Sequence, residues 1–327
     1  MQRALLILGL GCWFSVGSGW DARAAEPSAP PRPIQAEYRS FKDELLRRYV
    51  WMGQRVAFLT AREDLDPVVM GKLCATFDKV YDFYQETTGR QPERFRHYEG
   101  RVSIAEVKDT CGAACAYLGA TGIEMTSDCF YELYDGVAER DEYDQALPYE
   151  FGRNFWFYSP QLAYRDGVTD RSVVTGYAVF MRFPALDAAG AKLGPFRGRS
   201  GDEFRGEVRR LVDLYEADPS LTWENTLKID RAPDNPMGLN GTDLFAGFCF
   251  RLAERHGGQK FIAQLWQQAA KRPAAESTQE AIDNFVLAAS AAAGKDLTEL
   301  FSKDWRWPVS DTAQQEAQQR FATASKP

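Results

Sequence analysis

Strand-like alternation of apolar and polar residues is confined to the first half of this chain, and helical periodicity fills the second. Arg55–Thr60 and Arg101–Val107 read as strands, the latter with Val102, Ile104 and Val107 inward. Gly122–Thr126 and Phe130–Tyr134 read as shorter strands. Between the first two, Asp66 and Pro67 open a helix that runs to about Thr87. Its Leu73, Phe77, Val80, Tyr81 and Tyr84 fall on one face, and Gly89 stops it. Beyond Tyr143 the segments Tyr143–Tyr158, Val173–Ala189, Gly201–Ala217, Phe261–Ala270 and Gln279–Ala293 read as helices. The second of these is expected to bend at Pro184 and the third to be exposed. A further helix, capped by Thr242 or Asp243, carries Leu244, Phe245, Phe248, Cys249 and Leu252 on one face and ends at Gly257-Gly258. No internal repeat is present. This order predicts an α+β fold: an N-terminal mixed sheet with helices, then a mainly helical C-terminal half.

The chain has 327 residues, 45% of them apolar, which is enough for a substantial core and excludes a wholly disordered polymer. Its formal charge of −7 argues against a nucleic-acid partner, which would need a basic stripe. The N-terminus reads as an export signal: Arg3, then the apolar stretch Ala4–Val16, then the small-residue site Ala22-Arg23-Ala24-Ala25, with cleavage after Ala24 or Ala25. A lipoprotein alternative would use Cys12. The expected organisation is a signal peptide over residues 1–25, a Pro-rich spacer over 26–36, and an α+β subdomain over 37–140. A helical, peptidase-like subdomain over 141–309 and a polar tail over 310–327 follow. The mature protein is expected to be periplasmic or extracellular, without a transmembrane span.

The two histidines, His97 and His256, exclude a three-histidine site, and they lie too far apart for a HExxH zinc helix. His97 precedes a strand, and His256 sits in the last turn of a helix, where the dipole favours positive charge. Cys111 and Cys115 form a C-x3-C pair followed by Cys129. Export favours a disulfide among Cys111, Cys115, Cys129 and Cys74, with the pairing open, whereas Cys249 lies on an apolar helix face as a free thiol. Two acidic loops, Asp141/Glu142/Asp144 and Asp234/Asn235/Asn240/Asp243, could hold calcium but lack EF-hand spacing, and read rather as a solvated helix start and a capped turn.

The most informative segment is Leu147-Pro148-Tyr149-Glu150-Phe151-Gly152-Arg153-Asn154-Phe155-Trp156. In a HExxH helix the two histidines hold zinc, and the glutamate acts as base on the metal-bound water. Here Glu150 stands in the glutamate position, but Tyr149 and Arg153 replace the histidines. Arginine has no lone pair to give a metal. Read blandly, Glu150 and Arg153 are an i,i+3 ion pair on a buried helix.

Three segments together resemble gluzincin-type metallopeptidases of the peptidase MA clan. The Tyr149–Trp156 helix is similar to an HExGHNFW helix. Val173-Val174-Thr175-Gly176-Tyr177-Ala178-Val179-Phe180 resembles the helix that supplies the third ligand, a glutamate, with Thr175 in the matching place. Ala293–Phe301 and Trp305–Val309 resemble the closing segment of secreted enhancin-like and basic-secretory-type peptidases. The resemblance implies a metallopeptidase-like fold. All three implied zinc ligands are replaced, so no cofactor is expected. The expected function is an exported, catalytically inactive relative that binds a peptide or glycan of the cell envelope in the former active-site cleft, through Tyr149, Arg153, Thr175 and Tyr177. The alternatives are a metal-independent hydrolase with Glu150 as general acid/base and a purely structural envelope protein.

Overall fold

The computed structural model describes residues 33–322, so the expected signal segment, Cys12 and most of the expected Pro-rich spacer lie outside the described residues. The chain opens as a hairpin, β1 (Ile34–Arg39) and β2 (Leu45–Met52), that pairs onward with β3 (Val56–Thr60). Helix α1 (Pro67–Thr88) follows, then β4 (His97–Tyr98), β5 (Arg101–Val107), β6 (Ala114–Ala116) and β7 (Ile123–Thr126). These strands make a seven-stranded mixed sheet in the order β1-β2-β3-β5-β7-β6, with β4 beside β5. The pairs β3–β5 and β5–β7 are parallel, and the remaining pairs are antiparallel.

The second half is helical: α2 (Ser127–Arg140), α3 (Ala146–Asn154), α4 (Ser159–Leu162), α5 (Arg171–Ala189), α6 (Gly201–Ala217), α7 (Gly241–His256), α8 (Gln259–Ala269), α9 (Thr278–Ala293) and α10 (Asp311–Ala322). A two-stranded parallel pair, β8 (Glu142–Tyr143) with β9 (Lys192–Leu193), clips the start of this half to the end of α5. The fold is α+β, as the change of periodicity predicts. Among the described residues no helix is long and apolar enough to cross a membrane.

Period-2 geometry splits β3 between two cores. Val56 and Phe58 face the main core, and Ala57 and Leu59 face a small one with Tyr38, Val50, Ala105 and Val107. Helix α1 lies over the main face, where Phe77 meets Phe58 of the sheet at 5.9 Å and Phe151 of α3 at 5.9 Å. Its ends are as the sequence predicts: Asp66 caps Val68 N–H, and Gly89 takes the left-handed conformation. One continuous apolar cluster therefore runs from Trp51 to Trp307 and takes residues from both halves.

Phe130–Tyr134 is not a strand; it lies inside α2. Thr126 caps that helix through Cys129 N–H, and Cys129, Phe130, Leu133 and Val137 are buried at helical spacing. Helix α6 is exposed on one side only, since Phe204, Val208, Leu211, Val212 and Tyr215 are buried. Helix α7 is capped by Asn240, one position before Gly241, with Asp243 closing a capping box. Residues 34–36 of the expected spacer already belong to β1, and most of the expected polar tail is α10, which buries Ala313 and Ala317 against Leu287. The closing segment is a core plug: Phe301, Trp305 and Trp307 pack among Phe248 and Phe285, and Trp305 Nε1 donates to Glu216 at 2.8 Å.

Cys111 and Cys115 form a disulfide. Cys74 and Cys129 take no part in one. Each is buried on a different helix, and the Cys74 thiol donates to the Trp51 carbonyl. Cys249 is a buried free thiol, as its helix face predicts.

Candidate functional site

Helix α3 begins where the Asp144 carboxylate accepts the Ala146 N–H at 2.6 Å, which satisfies an otherwise open helix start. It ends where Asn154 donates to the carbonyl of Tyr117 at 3.2 Å and Gly119 N–H donates to the Arg153 carbonyl at 3.1 Å. These bonds pin the helix beside β6, the edge strand of the sheet. Buried Phe151 and Phe155 stack on Phe77 and Tyr84, which fixes the rotation of the helix. Tyr149 and Arg153, four apart, are left half-buried on the remaining side.

Glu150 is 6% exposed. Among the described residues it has no hydrogen bond and no contact ion pair, so the i,i+3 pairing with Arg153 is not made. Burial pushes its carboxyl up to about 7, and the Arg153 charge offsets only part of that. A lone carboxyl in this setting is poised near neutrality.

Helix α5 crosses α3 closely. A Cβ on Gly152 would meet Ala178 Cα at 2.8 Å and the Tyr84 hydroxyl at 3.1 Å. Gly176 allows α7 an equally close approach, with Phe245 at 2.8 Å. Thr175 lies one turn before the α3 crossing and is half-buried. Tyr177 is sealed in the core, contrary to its expected role at the binding surface. Its hydroxyl donates to the Phe155 carbonyl at 3.2 Å, and its ring packs on Trp156 and Trp266. A Gly152→Ala variant is expected to lose about 1–3 kcal/mol, because the two helices must separate. Urea denaturation measures it, and wild-type stability would mean the crossing has slack.

A buried polar cluster adjoins this site that the sequence reading did not assemble. Arg182 of α5 is 4% exposed, and its Nη1 donates to the Gln145 side-chain carbonyl. Its guanidinium lies over the rings of Phe183 at 5.0 Å and Phe204 at 4.9 Å, and its Nε has no partner. Burial pushes its pKa down to about 10, against the opposing fields of Asp243, Tyr149, Asp144 and Tyr84. Burial likewise raises Asp144 and Asp243, and Arg182 pulls both partly back. These two acids, read from sequence as parts of two separate loops, thus share one buried cation. In those loops, Asp141 pairs with Lys72 at 2.8 Å, and Asn235 closes its own turn by accepting Leu239 N–H at 2.8 Å. Among the described residues no grouping of three or more His, Cys, Asp or Glu could hold a metal ion.

The donor set of α3 and α5 does not fit the zinc that a HExxH helix would carry. In the three ligand positions stand a phenol, a guanidinium without a lone pair, and a threonine hydroxyl. His97 lies on β4 and His256 ends α7 beside Phe261, each away from this segment.

No protein-family profile matches the sequence, and no curated protein is similar to it. Solved structures are similar in fold. A functionally unknown conserved protein from Bacillus anthracis str. Ames superposes with a TM-score of 0.54 at 13% identity, over 89% of this chain and 52% of that one. A mutant described in the same terms gives 0.53 at 13% identity, over 84% and 51%. A metallopeptidase from Bacteroides thetaiotaomicron gives 0.49 at 12% identity, over 86% and 47%. The chain spans about half the length of the structures it matches. With the two Bacillus anthracis structures this protein shares an α+β fold.

Proposed function

We propose that this is an exported, metallopeptidase-like protein that does not hydrolyse through zinc and binds a peptide or glycan on the surface formed by α3 and α5. The observation that carries this reading is the composition of α3. Where a HExxH helix holds its metal ligands, half-buried Tyr149 and Arg153 flank the buried Glu150. Arg153 is suited to a carboxylate-bearing ligand because its fork donates two parallel hydrogen bonds. Tyr149 adds an aromatic face for a sugar or side chain.

The test is binding of the mature protein to arrays of immobilised peptides and glycans, with metal analysis of the same sample. Arg153→Ala is expected to weaken the retained interaction by at least about tenfold with its unfolding midpoint unchanged. One zinc per chain, no retained interaction, or an Arg153→Ala variant altered only in stability would each overturn the reading. The last result would favour a purely structural protein.

A second reading rests on the Glu150 carboxyl, which burial holds at about 7. A group at that value can act as general acid and base near neutrality, with Tyr149 and Arg153 stabilising developing negative charge. Turnover of an array hit by wild type, abolished in Glu150→Gln with binding retained, would establish it over the first.

A further inference from the structure

A cavity of about 200 Å³ opens where α1, β4, β5 and the turn before β3 meet, lined by no residue of α3 or α5. Gln54, Arg55, Tyr81, Arg94, His97 and Arg101 carry its chemistry. Three guanidinium groups line it and no carboxylate does, in a chain whose formal charge is −7.

The wall is built rather than casual. Asp78 of α1 accepts the backbone N–H groups of Gln54 at 2.6 Å, Arg55 at 2.6 Å and Val56 at 3.0 Å, which fixes the turn presenting Gln54 and Arg55. Gly53 lies so close to this carboxylate that a Cβ would meet it at 2.6 Å. Glu99 and Gly100, with φ of 47° and 82°, form the tight turn that sets His97 and Arg101 on adjacent paired strands. Arg101 Nε donates to the Gly53 carbonyl at 2.7 Å, tying β5 to the same turn.

Three neighbouring acids are already engaged, and the exposed Glu93, beside Arg94 in sequence, does not line the cavity. Asp78 holds backbone, Asp82 pairs with Arg55 Nε at 2.8 Å, and Glu99 lies 3.7 Å from Arg101 Nη1. Among the described residues the Arg55 Nη groups, Arg101 Nη2 and the whole Arg94 guanidinium have no protein partner. Arg55 and Arg94 both act on the Tyr81 hydroxyl, drawing down a pKa that burial raises. The unsatisfied donors belong to residues that line one cavity.

We propose that this cavity binds a small ligand through a phosphate or sulfate group. Free arginine forks match a tetrahedral oxyanion bidentately, and Gln54 and Gln91 can reach hydroxyls on a small carrier. The volume is below the roughly 300 Å³ at which pockets for drug-sized ligands begin, so the carrier is no larger than about a monosaccharide. The site is independent of the α3 surface and stands or falls separately.

Calorimetric titration of the mature protein at low ionic strength with sodium phosphate, sodium sulfate and glucose 6-phosphate tests it. At least one is expected to bind in or below the millimolar range, more weakly as salt rises. Equal affinity for phosphate and glucose 6-phosphate would identify the free ion as the ligand; tighter binding of the ester would identify the carried group. Arg94→Ala is expected to weaken binding at least about tenfold with an unchanged unfolding midpoint, since Arg94 supports nothing else. Arg94→Lys, which keeps the charge and loses the fork, should fall between them, and Arg153→Ala should bind as wild type. No heat from any of the three at roughly 10 mM, or wild-type binding by Arg94→Ala, would overturn the proposal.

Discussion

An Arg182→Met variant is expected to be less stable than wild type by roughly 3–5 kcal/mol at pH 7. Methionine nearly preserves the volume, so packing against Phe183 and Phe204 is not the main loss. The loss comes from Asp144 and Asp243, whose carboxyls burial already holds above the usual range with Arg182 present. Without it these two partly buried acids lose the cation they share, and Asp243 keeps only the weaker field of Arg197. The sign with pH follows from that direction. A carboxyl whose folded pKa is raised binds its proton more tightly when folded, so stability falls as pH rises from the unfolded pKa through the folded one. Removing Arg182 raises both carboxyls further, so the deficit is largest at pH 7 and shrinks toward pH 4, where unfolded and folded forms both tend to protonation. Urea denaturation at the two pH values measures it. An equal deficit at both, or a loss below about 1 kcal/mol at pH 7, would show that the cluster is not held by charge. Adding Asp144→Asn and Asp243→Asn to Arg182→Met should recover part of the loss, because neutral amides replace the stranded acids.

The second expected result has the opposite sign. Glu150→Gln should be more stable than wild type at pH 8, by roughly 3 kcal/mol, and indistinguishable from it at pH 4. The carboxyl moves from 4.5 to about 7 on folding, and each unit corresponds to about 1.4 kcal/mol. At pH 4 it is largely protonated in both states and contributes little. Between the two values the folded protein holds the proton and the unfolded chain has released it, so stability declines. Above pH 7 both are ionised and the whole burial penalty is present. The amide has the same shape without the charge. A Glu150→Gln variant that is less stable at pH 8 would mean that the carboxylate has a partner in solution. A gain in stability would mark Glu150 as a residue kept at the expense of the fold, which is the signature expected of a functional group.

Much of the architecture is legible from local chemistry. Asp66, Pro67 and Gly89 announce both ends of α1, and the change from alternation to helical spacing gives the fold class. The hairpin β1–β2 escapes because Arg47 and Arg48 interrupt the alternation of β2, which buries only Val50 and Trp51. The run Phe130–Tyr134 misleads because a short apolar stretch fits either period; the cap at Thr126 is the signal that decides it. At the site, α3 is legible because its residues are contiguous. The Arg182 cluster is not, since Asp144, Arg182 and Asp243 come from three distant segments and meet only through tertiary packing. The same holds for Arg55, Arg94 and Arg101. Tyr177 carries the spacing of a site residue, but a tyrosine on an all-round apolar helix is one the core can claim.

The strand next to α3 is only Ala114–Ala116, and it lies against the disulfide that joins Cys111 to Cys115. An open strand edge is a template on which another chain can polymerise. With its first turns tied in a covalent loop, β6 cannot lengthen toward its N-terminus and exposes only a short rung of backbone donors and acceptors. In an oxidising compartment, the cross-link therefore limits self-association along this margin of the sheet, a colloidal role separate from any contribution to folding stability.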